Sequence, residues 1–215
     1  RSENLPNLSE VGDIDTQCSY NMALAVKPDD EDFVLLGGTN AYRSRDGFTS
    51  SVVARTDVWI GGYDAIDDRF VSYANHHPDQ HLFLFDPDDA DKMYAANDGG
   101  VYLTNDITTQ NRVDWIDRNF GYNVTQFYTV ALDNDPEDPR LAGGAQDNGT
   151  PFLRLDEAGG TSENISVGDG SYLYLGDASA YVGFQNGSIL KLRYDASGTP
   201  VFNGFSFIQP QSARN

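Results

Sequence analysis

The sequence predicts an all-β protein built from about four repeats of short antiparallel strands. The 215-residue chain holds 21 Gly, 12 Tyr and 12 Phe, and no long helical periodicity is present. An apolar run entering a Gly/Asn/Asp turn, followed by another apolar run, recurs at residues 34–44, 93–104, 141–154 and 181–193. Units of about 40 to 50 residues with roughly four strands each are typical of propeller blades. We therefore predict a β-propeller or a fragment of one.

Two other architectures explain the repeats less well. A solenoid requires more uniform repeats, and the repeated turn chemistry disfavours a sandwich. A small closed ring and a piece of a larger ring both remain open, because an open set of blades exposes its two end faces. The ragged start and the tail FNGFSFIQPQSARN favour the fragment.

The blades follow one another after an irregular, polar lead-in over residues 1–18. In the first blade, YNMALAVKP alternates apolar and polar residues as a half-buried strand does, and FVLLGG follows an Asp-rich turn. VVARTDVWIGG and RFVSYA are predicted strands of a less regular stretch, after which the strand and turn order returns. Blades are predicted over residues 19–208, with repeat cores near 20–62, 69–118, 122–156 and 165–208 and a tail at 209–215.

Composition excludes several classes of partner. The net charge is −19 with only three lysines, and nucleic acids and anionic membrane surfaces are bound by clustered Lys and Arg. The acidity fits either a highly charged, salt-adapted surface or a set of cation-binding loops. The first is favoured, because the acids concentrate at turns, where Asp is preferred for backbone reasons.

Cysteine usage and hydropathy add further limits. Cys18 is the single cysteine, so an internal disulfide framework is excluded. No run of about 18 apolar residues is present, so no membrane insertion is predicted, and RSENLPNLSE does not resemble a signal peptide. A chain that opens on Arg1 is expected to be a processed or excised piece of a longer protein.

The three histidines fall together in the stretch NHHPDQH. Imidazole and carboxylate groups are common ligands of divalent metals, so His77, Asp79 and His81 are the candidate metal ligands. Pro78 makes a helical arrangement of these residues unfavourable, and a hydrogen-bonded loop is the alternative. No other cofactor is predicted.

Two polar turns between strands are the candidate catalytic and binding sites. Asn97 and Asp98 precede two glycines in NDGG, and Gln146, Asp147 and Asn148 precede one glycine in QDNG. Both turns are also ordinary hairpin sequences. Their equivalent positions in the repeat allow Asp98 and Asp147 to form an acid/base pair, and a separation of about 6.5 to 9.5 Å would suit inverting glycoside hydrolysis. The candidate ligand-binding residues are Asn97, Gln126, Tyr128, Gln146 and Asn148.

The remaining acidic and aromatic residues favour structural roles. The Asp-rich runs at 29–32, 86–91 and 133–138 lack the ordered spacing of a calcium loop and are predicted turns. The tryptophans and several tyrosines could stack on sugars, although propeller cores are also aromatic, and a core position is expected for most of them. These residues are Trp59, Trp115, Tyr122, Tyr128, Tyr172 and Tyr174.

The repeats YNMALAVKPDD…VLLGGTNAYRSRDG, HHPDQHLFLFDPDDADKMYAANDGGVY and NVTQFYTVALDN…LAGGAQDNGT resemble the Asp-box, or BNR-type, propellers of secreted bacterial proteins. These are related to sortilin-type propellers and to the xyloglucanases of glycoside hydrolase family 74. SRDGFT and TNDIT resemble diverged Asp-boxes, and ANDGG resembles the motif that carries a catalytic Asp in the enzymes. The resemblance implies an extracellular or cell-surface location and carries over Asp98 alone as a candidate catalytic residue.

Three functions are compatible with these observations. The first is a propeller module that binds a glycan or a protein partner and is not catalytic by itself. The second is a glycoside hydrolase acting on a β-glucan such as xyloglucan, with Asp98 as general base and Asp147 as acid. The third is a scaffold for other domains of the same parent chain.

Overall fold

The computed structural model describes residues 14–50, 58–66, 69–122, 124–133, 135–155 and 162–208. The predicted tail at 209–215 and residues 1–13 of the lead-in lie outside the described residues. The chain divides into two compact units, Arg1–Asn123 and Val124–Asn215. Each unit contains two four-stranded antiparallel sheets whose strands are hydrogen-bonded in chain order. Four such meanders are propeller blades, so the predicted fold class is confirmed.

Unit 1 contains sheets 1 and 2 and a separate two-stranded hairpin. Sheet 1 consists of β1 (Ala23–Lys27), β2 (Asp30–Gly37), β3 (Ala41–Ser44) and β4 (Trp59–Gly61). The hairpin consists of β5 (Tyr63–Ile66) and β6 (Arg69–Ser72). Sheet 2 consists of β7 (Gln80–Asp86), β8 (Asp89–Asn97), β9 (Gly100–Thr104) and β10 (Ile116–Asp117).

Unit 2 contains sheets 3 and 4. Sheet 3 consists of β11 (Phe127–Asp133), β12 (Arg140–Ala145), β13 (Pro151–Arg154) and β14 (Glu163–Asn164). Sheet 4 consists of β15 (Leu173–Leu175), β16 (Ser179–Gly183), β17 (Ile189–Tyr194) and β18 (Pro200–Ile208), with a short 3₁₀ turn at Gln185–Gly187. No helix among the described residues is long and apolar enough to cross a membrane.

Each unit has its own hydrophobic core, formed by the inward positions of its strands. In unit 1, Phe33 and Leu35 of sheet 1 belong to one cluster with Met93 and Ala95 of sheet 2. In unit 2, the core lies between the two sheets and includes Ala142, Phe152, Val182 and Leu192. Since successive side chains of a strand point to opposite faces, alternate residues are left on the outer faces.

The first strand of each sheet carries exposed apolar residues on its outer face. Leu24 and Val26 on β1 alternate with the buried face of the strand, and Leu82 and Leu84 on β7 do the same. Alternation is the pattern that the sequence predicted for a half-buried strand.

Two loops of unit 1 have matching hydrogen bonds, although their sequences differ. After β3, the Asp46 carboxylate accepts from the Ser44 hydroxyl at 2.9 Å and from the Ser50 N–H at 3.0 Å. After β9, the Asp106 carboxylate accepts from the N–H and the hydroxyl of Thr108 at 2.9 and 2.8 Å. Each loop therefore closes on an aspartate that follows the third strand of its sheet.

Sheets 1 and 2 are joined by buried polar contacts as well as by the core. Arg43 is fully buried and donates from Nη1 to the Ile107 carbonyl at 2.6 Å. The Trp115 indole donates to the Ile60 carbonyl at 2.7 Å. Because a buried donor without a partner is costly, these contacts specify how the two sheets of unit 1 pack.

Candidate functional site

The stretch NHHPDQH forms an irregular loop that ends at the start of β7. The Asp79 N–H donates to the Thr39 carbonyl at 2.8 Å, and the Gln80 N–H donates to the Gly38 carbonyl at 2.8 Å. Asp79 has a φ of +67°, a conformation that Asp tolerates better than most residues. These backbone bonds hold the loop against the turn between β2 and β3, and His81 lies within β7 rather than on a helix.

The Asp79 carboxylate is buried, with 6% of the residue exposed. Its Oδ1 accepts from Asn21 Nδ2 at 2.6 Å and from Gln17 Nε2 at 2.8 Å. Burial, and then the negative charge of Asp98, raise the pKa of the Asp79 carboxyl to about 6. Positive charge on His77 and the hydrogen bond from Asn21 oppose this shift only in part, so Asp79 exchanges its proton near neutral pH.

Asp98 lies in the turn between β8 and β9, beside the start of β7. His81 Nε2 donates to Asp98 Oδ1 at 2.5 Å, and the Tyr20 ring meets the His81 ring edge-on at 5.2 Å between centroids. Carboxylate oxygens of Asp79 and Asp98 lie within 4.8 Å of each other. We call Asp79, His81 and Asp98 the carboxylate site.

Asn97 and the glycine pair of NDGG shape the turn that carries Asp98. Asn97 Oδ1 accepts from the Gly99 N–H at 3.1 Å, and Asn97 Nδ2 donates to the His77 carbonyl at 2.9 Å. A β-carbon on Gly99 would lie 2.4 Å from His77 Cβ, so only glycine fits there. Both ends of the Asn97 amide are thus engaged within the protein, and ligand binding by Asn97 stays a prediction.

The three predicted metal ligands have different partners. His77 Nδ1 lies 3.1 Å from the Pro78 carbonyl oxygen, Asp79 accepts from amides, and His81 donates to Asp98. Metal binding by this triad stays a prediction. The third histidine, His76, is buried against Trp115 with 4.3 Å between ring centroids. Burial lowers the pKa of His76 to about 3, so its imidazole is neutral.

The QDNG turn of unit 2 is a closed loop after β12. Ala145 and Gly149 pair across it, Asp147 has a φ of +59°, and the Asp147 N–H donates to the Asp169 carboxylate at 2.9 Å. Asn148 Nδ2 donates to the Gln146 carbonyl at 3.0 Å. The predicted ligand-binding amide of Asn148 thus helps to close the turn.

Gln126 and Tyr128 lie at the start of sheet 3. The Gln126 carbonyl accepts from the Gln146 N–H at 3.3 Å, and the Gln126 side chain is exposed. Tyr128 is exposed as well, and desolvation followed by the charges of Asp169 and Asp147 raises the pKa of its hydroxyl. Both residues remain candidates for ligand contact.

The predicted catalytic residues belong to different units, Asp98 to unit 1 and Asp147 to unit 2, and their pairing stays a prediction. Within unit 1, the carboxylate beside Asp98 is that of Asp79, which the sequence had assigned only to a metal. A signal for this pair was available. In an antiparallel hairpin the residue before the first strand lies beside the residue after the second, and Gln80 pairs with Asn97.

Gln17 and Asn21, which donate to the Asp79 carboxylate, were not predicted as site residues. Both residues belong to the segment that precedes β1, and neither is part of a recognisable motif. The expected core positions were wrong for four tyrosines, Tyr122, Tyr128, Tyr172 and Tyr174, which are exposed. Trp115 is buried as expected.

Comparison with models of known protein families and with curated proteins gave no match. Among solved structures, an ancestral GH74 enzyme is 12% identical, with a TM-score of 0.28 over 87% of this chain and 27% of that chain. The Pseudomonas aeruginosa periplasmic gluconolactonase PpgL is 13% identical, with a TM-score of 0.29 over 88% of this chain and 53% of that chain. The β-propeller domain of Myceliophteria thermophila Cps50 (Swd1) is 13% identical, with a TM-score of 0.28 over 84% and 67%. This chain spans about a quarter of the length of the GH74 enzyme and about half the length of the gluconolactonase.

Proposed function

We propose that this chain is a propeller module of a secreted or cell-surface protein and that its carboxylate site binds a neutral glycan. The observation that carries the proposal is the pair of carboxylates, Asp79 and Asp98, within 4.8 Å of each other at one end of sheet 2. Carboxylates are strong hydrogen-bond acceptors, and a glycan offers many hydroxyl donors.

The surroundings of the pair favour a sugar over other ligands. Tyr20 is 56% exposed and contacts His81, so an aromatic ring lies next to the acceptors. An aromatic surface beside a few polar groups is the usual composition of a small-molecule site. Two neighbouring carboxylates repel an anionic ligand, and the chain's net charge of −19 disfavours nucleic acid.

Affinity gel electrophoresis with neutral polysaccharides tests this function. We expect xyloglucan or another neutral glycan in the gel to retard the protein, and Asp98→Asn to weaken the retardation by roughly tenfold, as for loss of a charged hydrogen-bond acceptor. Asp88→Asn is the matched control, since it removes the same charge from an exposed turn. Migration unaffected by every neutral glycan would refute glycan binding. A protein ligand, or docking of other domains of the parent chain, would then be the remaining functions.

A glycoside hydrolase is the second candidate, favoured by the proximity and the proton affinity of the same two residues. Glycoside hydrolases act through two neighbouring carboxyl groups, and carboxylate oxygens of Asp79 and Asp98 lie within 4.8 Å of each other. Asp79, with its pKa raised to about 6, would be the acid that protonates the leaving group. Asp98 would be the second carboxylate of the pair.

Release of reducing ends from β-glucans separates the two candidates. The hydrolase requires that release disappears in Asp98→Ala and that the rate falls as the pH rises above about 6, because Asp79 must be protonated. Glycan retention without any release of reducing ends would leave the binding function and exclude the hydrolase.

We also infer that the loops after β3 and β9 are diverged Asp-boxes. Their support is the shared arrangement in which Asp46 and Asp106 each accept hydrogen bonds from a hydroxyl and a backbone N–H of their own loop. Such loops stabilise blade hairpins and take no part in ligand binding.

A further inference from the structure

The outer face of sheet 4 carries tyrosines and cations. Residues that alternate with the core positions Leu173, Val182 and Leu192 point away from the core of unit 2. Tyr174 on β15 pairs with Tyr181 on β16, which pairs with Lys191 on β17. We call this surface the tyrosine face; it comprises Tyr172, Tyr174, Tyr181, Lys191 and Arg193.

The aromatic rings of the tyrosine face are held by contacts with one another and with Lys191, and they remain accessible. Tyr172 is 82% exposed and Tyr174 is 65% exposed. The Tyr174 and Tyr181 rings are tilted against each other with 6.2 Å between centroids, and Lys191 Nζ lies 5.7 Å from the Tyr181 centroid. Ring packing and the cation–π contact orient the side chains without covering them.

The charge of the tyrosine face is opposite to that of the chain. The four strands of sheet 4 contain no Asp or Glu, in a protein with 33 acidic residues. Lys191 and Arg193 occur two residues apart on β17, so they share the outer face. Neither forms a salt bridge with a carboxylate among the described residues.

Another blade is a poor occupant for this face. An interface between blades would bury Lys191 and Arg193, and burial of a cation is strongly unfavourable unless the other blade supplies a carboxylate partner. An anionic ligand in water supplies the missing charge and leaves the rest of the surface solvated. Arg193 can bind a carboxylate with two parallel hydrogen bonds, whereas Lys191 acts as a point charge.

We propose that the tyrosine face binds an acidic polysaccharide of the polyuronate type. Tyrosine rings pack against the apolar faces of sugar rings, and the two cations bind the carboxylates of uronic acid residues. Three tyrosines with two cations fit a polymer that carries at most one charge per sugar. A densely sulfated chain requires more cations and is repelled by a protein of net charge −19. This site differs from the carboxylate site in its location, on sheet 4 rather than sheet 2, and in its ligand, which is anionic rather than neutral.

Affinity gel electrophoresis of the full chain with polygalacturonate tests the proposal. We expect retardation that weakens as NaCl is added, and a roughly tenfold weaker affinity for Lys191→Gln, as for loss of a charged hydrogen bond. Tyr174→Ala should weaken binding by a similar factor. The matched controls are Lys92→Gln and Tyr122→Ala, which make the same changes on unit 1 and should stay within about twofold of the original protein, the effect of a lost surface charge.

Several results would overturn the proposal. One is unchanged migration in polygalacturonate at low salt, and another is a loss of affinity in the controls as large as that of the Lys191 and Tyr174 variants. Tighter binding to dextran sulfate, insensitive to Tyr174→Ala, would indicate attraction of any polyanion. Failure of Lys191 to react with acetic anhydride would indicate that another blade or a second copy covers the face. Asp98→Asn should leave polygalacturonate binding unchanged, which distinguishes failure here from failure of the carboxylate site.

Discussion

Asp79→Asn tests whether the buried carboxyl of the carboxylate site is destabilising when ionised. The pKa of Asp79 is about 6 in the folded protein against an ordinary value of 3.8, so the folded state binds the proton more tightly than the unfolded state. Stability from this group is therefore fully present below about pH 4 and is lost as the pH rises to about 6. The difference of about 2 pKa units corresponds to about 3 kcal/mol.

The substitution removes this pH dependence and keeps an oxygen that can accept from Asn21 and Gln17. We expect the free energy of unfolding of Asp79→Asn, relative to the original protein, to rise by about 3 kcal/mol between pH 4 and pH 7. Carboxylates that do not interact with Asp79 contribute equally in both proteins, so their contributions cancel in the difference.

Urea unfolding followed by tryptophan fluorescence is a suitable assay. Both tryptophans of the chain, Trp59 and Trp115, belong to unit 1, so the signal reports the unit that contains Asp79. The control is Asp88→Asn, which removes the same charge from an exposed turn. If the Asp79→Asn curve runs parallel to that of the original protein from pH 4 to pH 7, the assignment of the raised pKa to Asp79 is refuted.

Three further outcomes are expected. Gly99→Ala should lower the free energy of unfolding by about 1 to 3 kcal/mol, because the new β-carbon would lie 2.4 Å from His77 Cβ; a neutral effect in urea unfolding would contradict this close approach. Asp106→Ala should cost about 1 kcal/mol through loss of two hydrogen bonds from Thr108, measured in the same way with Asp88→Ala as control. The melting temperature should rise by several degrees between 0.1 and 2 M KCl, since salt screens repulsion among the carboxylates of a chain with net charge −19; a flat response would exclude salt adaptation.

Local periodicity was sufficient to predict most of the fold. Strand and turn signals depend on neighbouring residues, so the Asp-rich turn before β2 and the glycine turn before β9 could be identified without tertiary information. At the candidate site, the sequence identified Asp79, His81 and Asp98 as chemically notable residues. The repeat position paired Asp98 with Asp147, and that pairing stays a prediction. The hairpin of β7 and β8 places Asp79 beside Asp98.

Side-chain exposure was predicted less well than strand position. Tyrosine occurs both in propeller cores and on surfaces, because its ring is apolar and its hydroxyl needs water or a partner. Only the register of β15 and β16 decides that Tyr172 and Tyr174 alternate with core leucines and lie on the outer face.

The sequence by itself determined the all-β class, the repeat of four-stranded blades and the acidic surface, because each depends on composition or on residues close along the chain. Tertiary structure decided which groups meet. Asn21 is 58 residues from Asp79 in sequence yet donates to its carboxylate at 2.6 Å, and burial by such distant segments raises the pKa of that group. Contacts of this kind depend on how strands pack rather than on their order, so no local pattern encodes them.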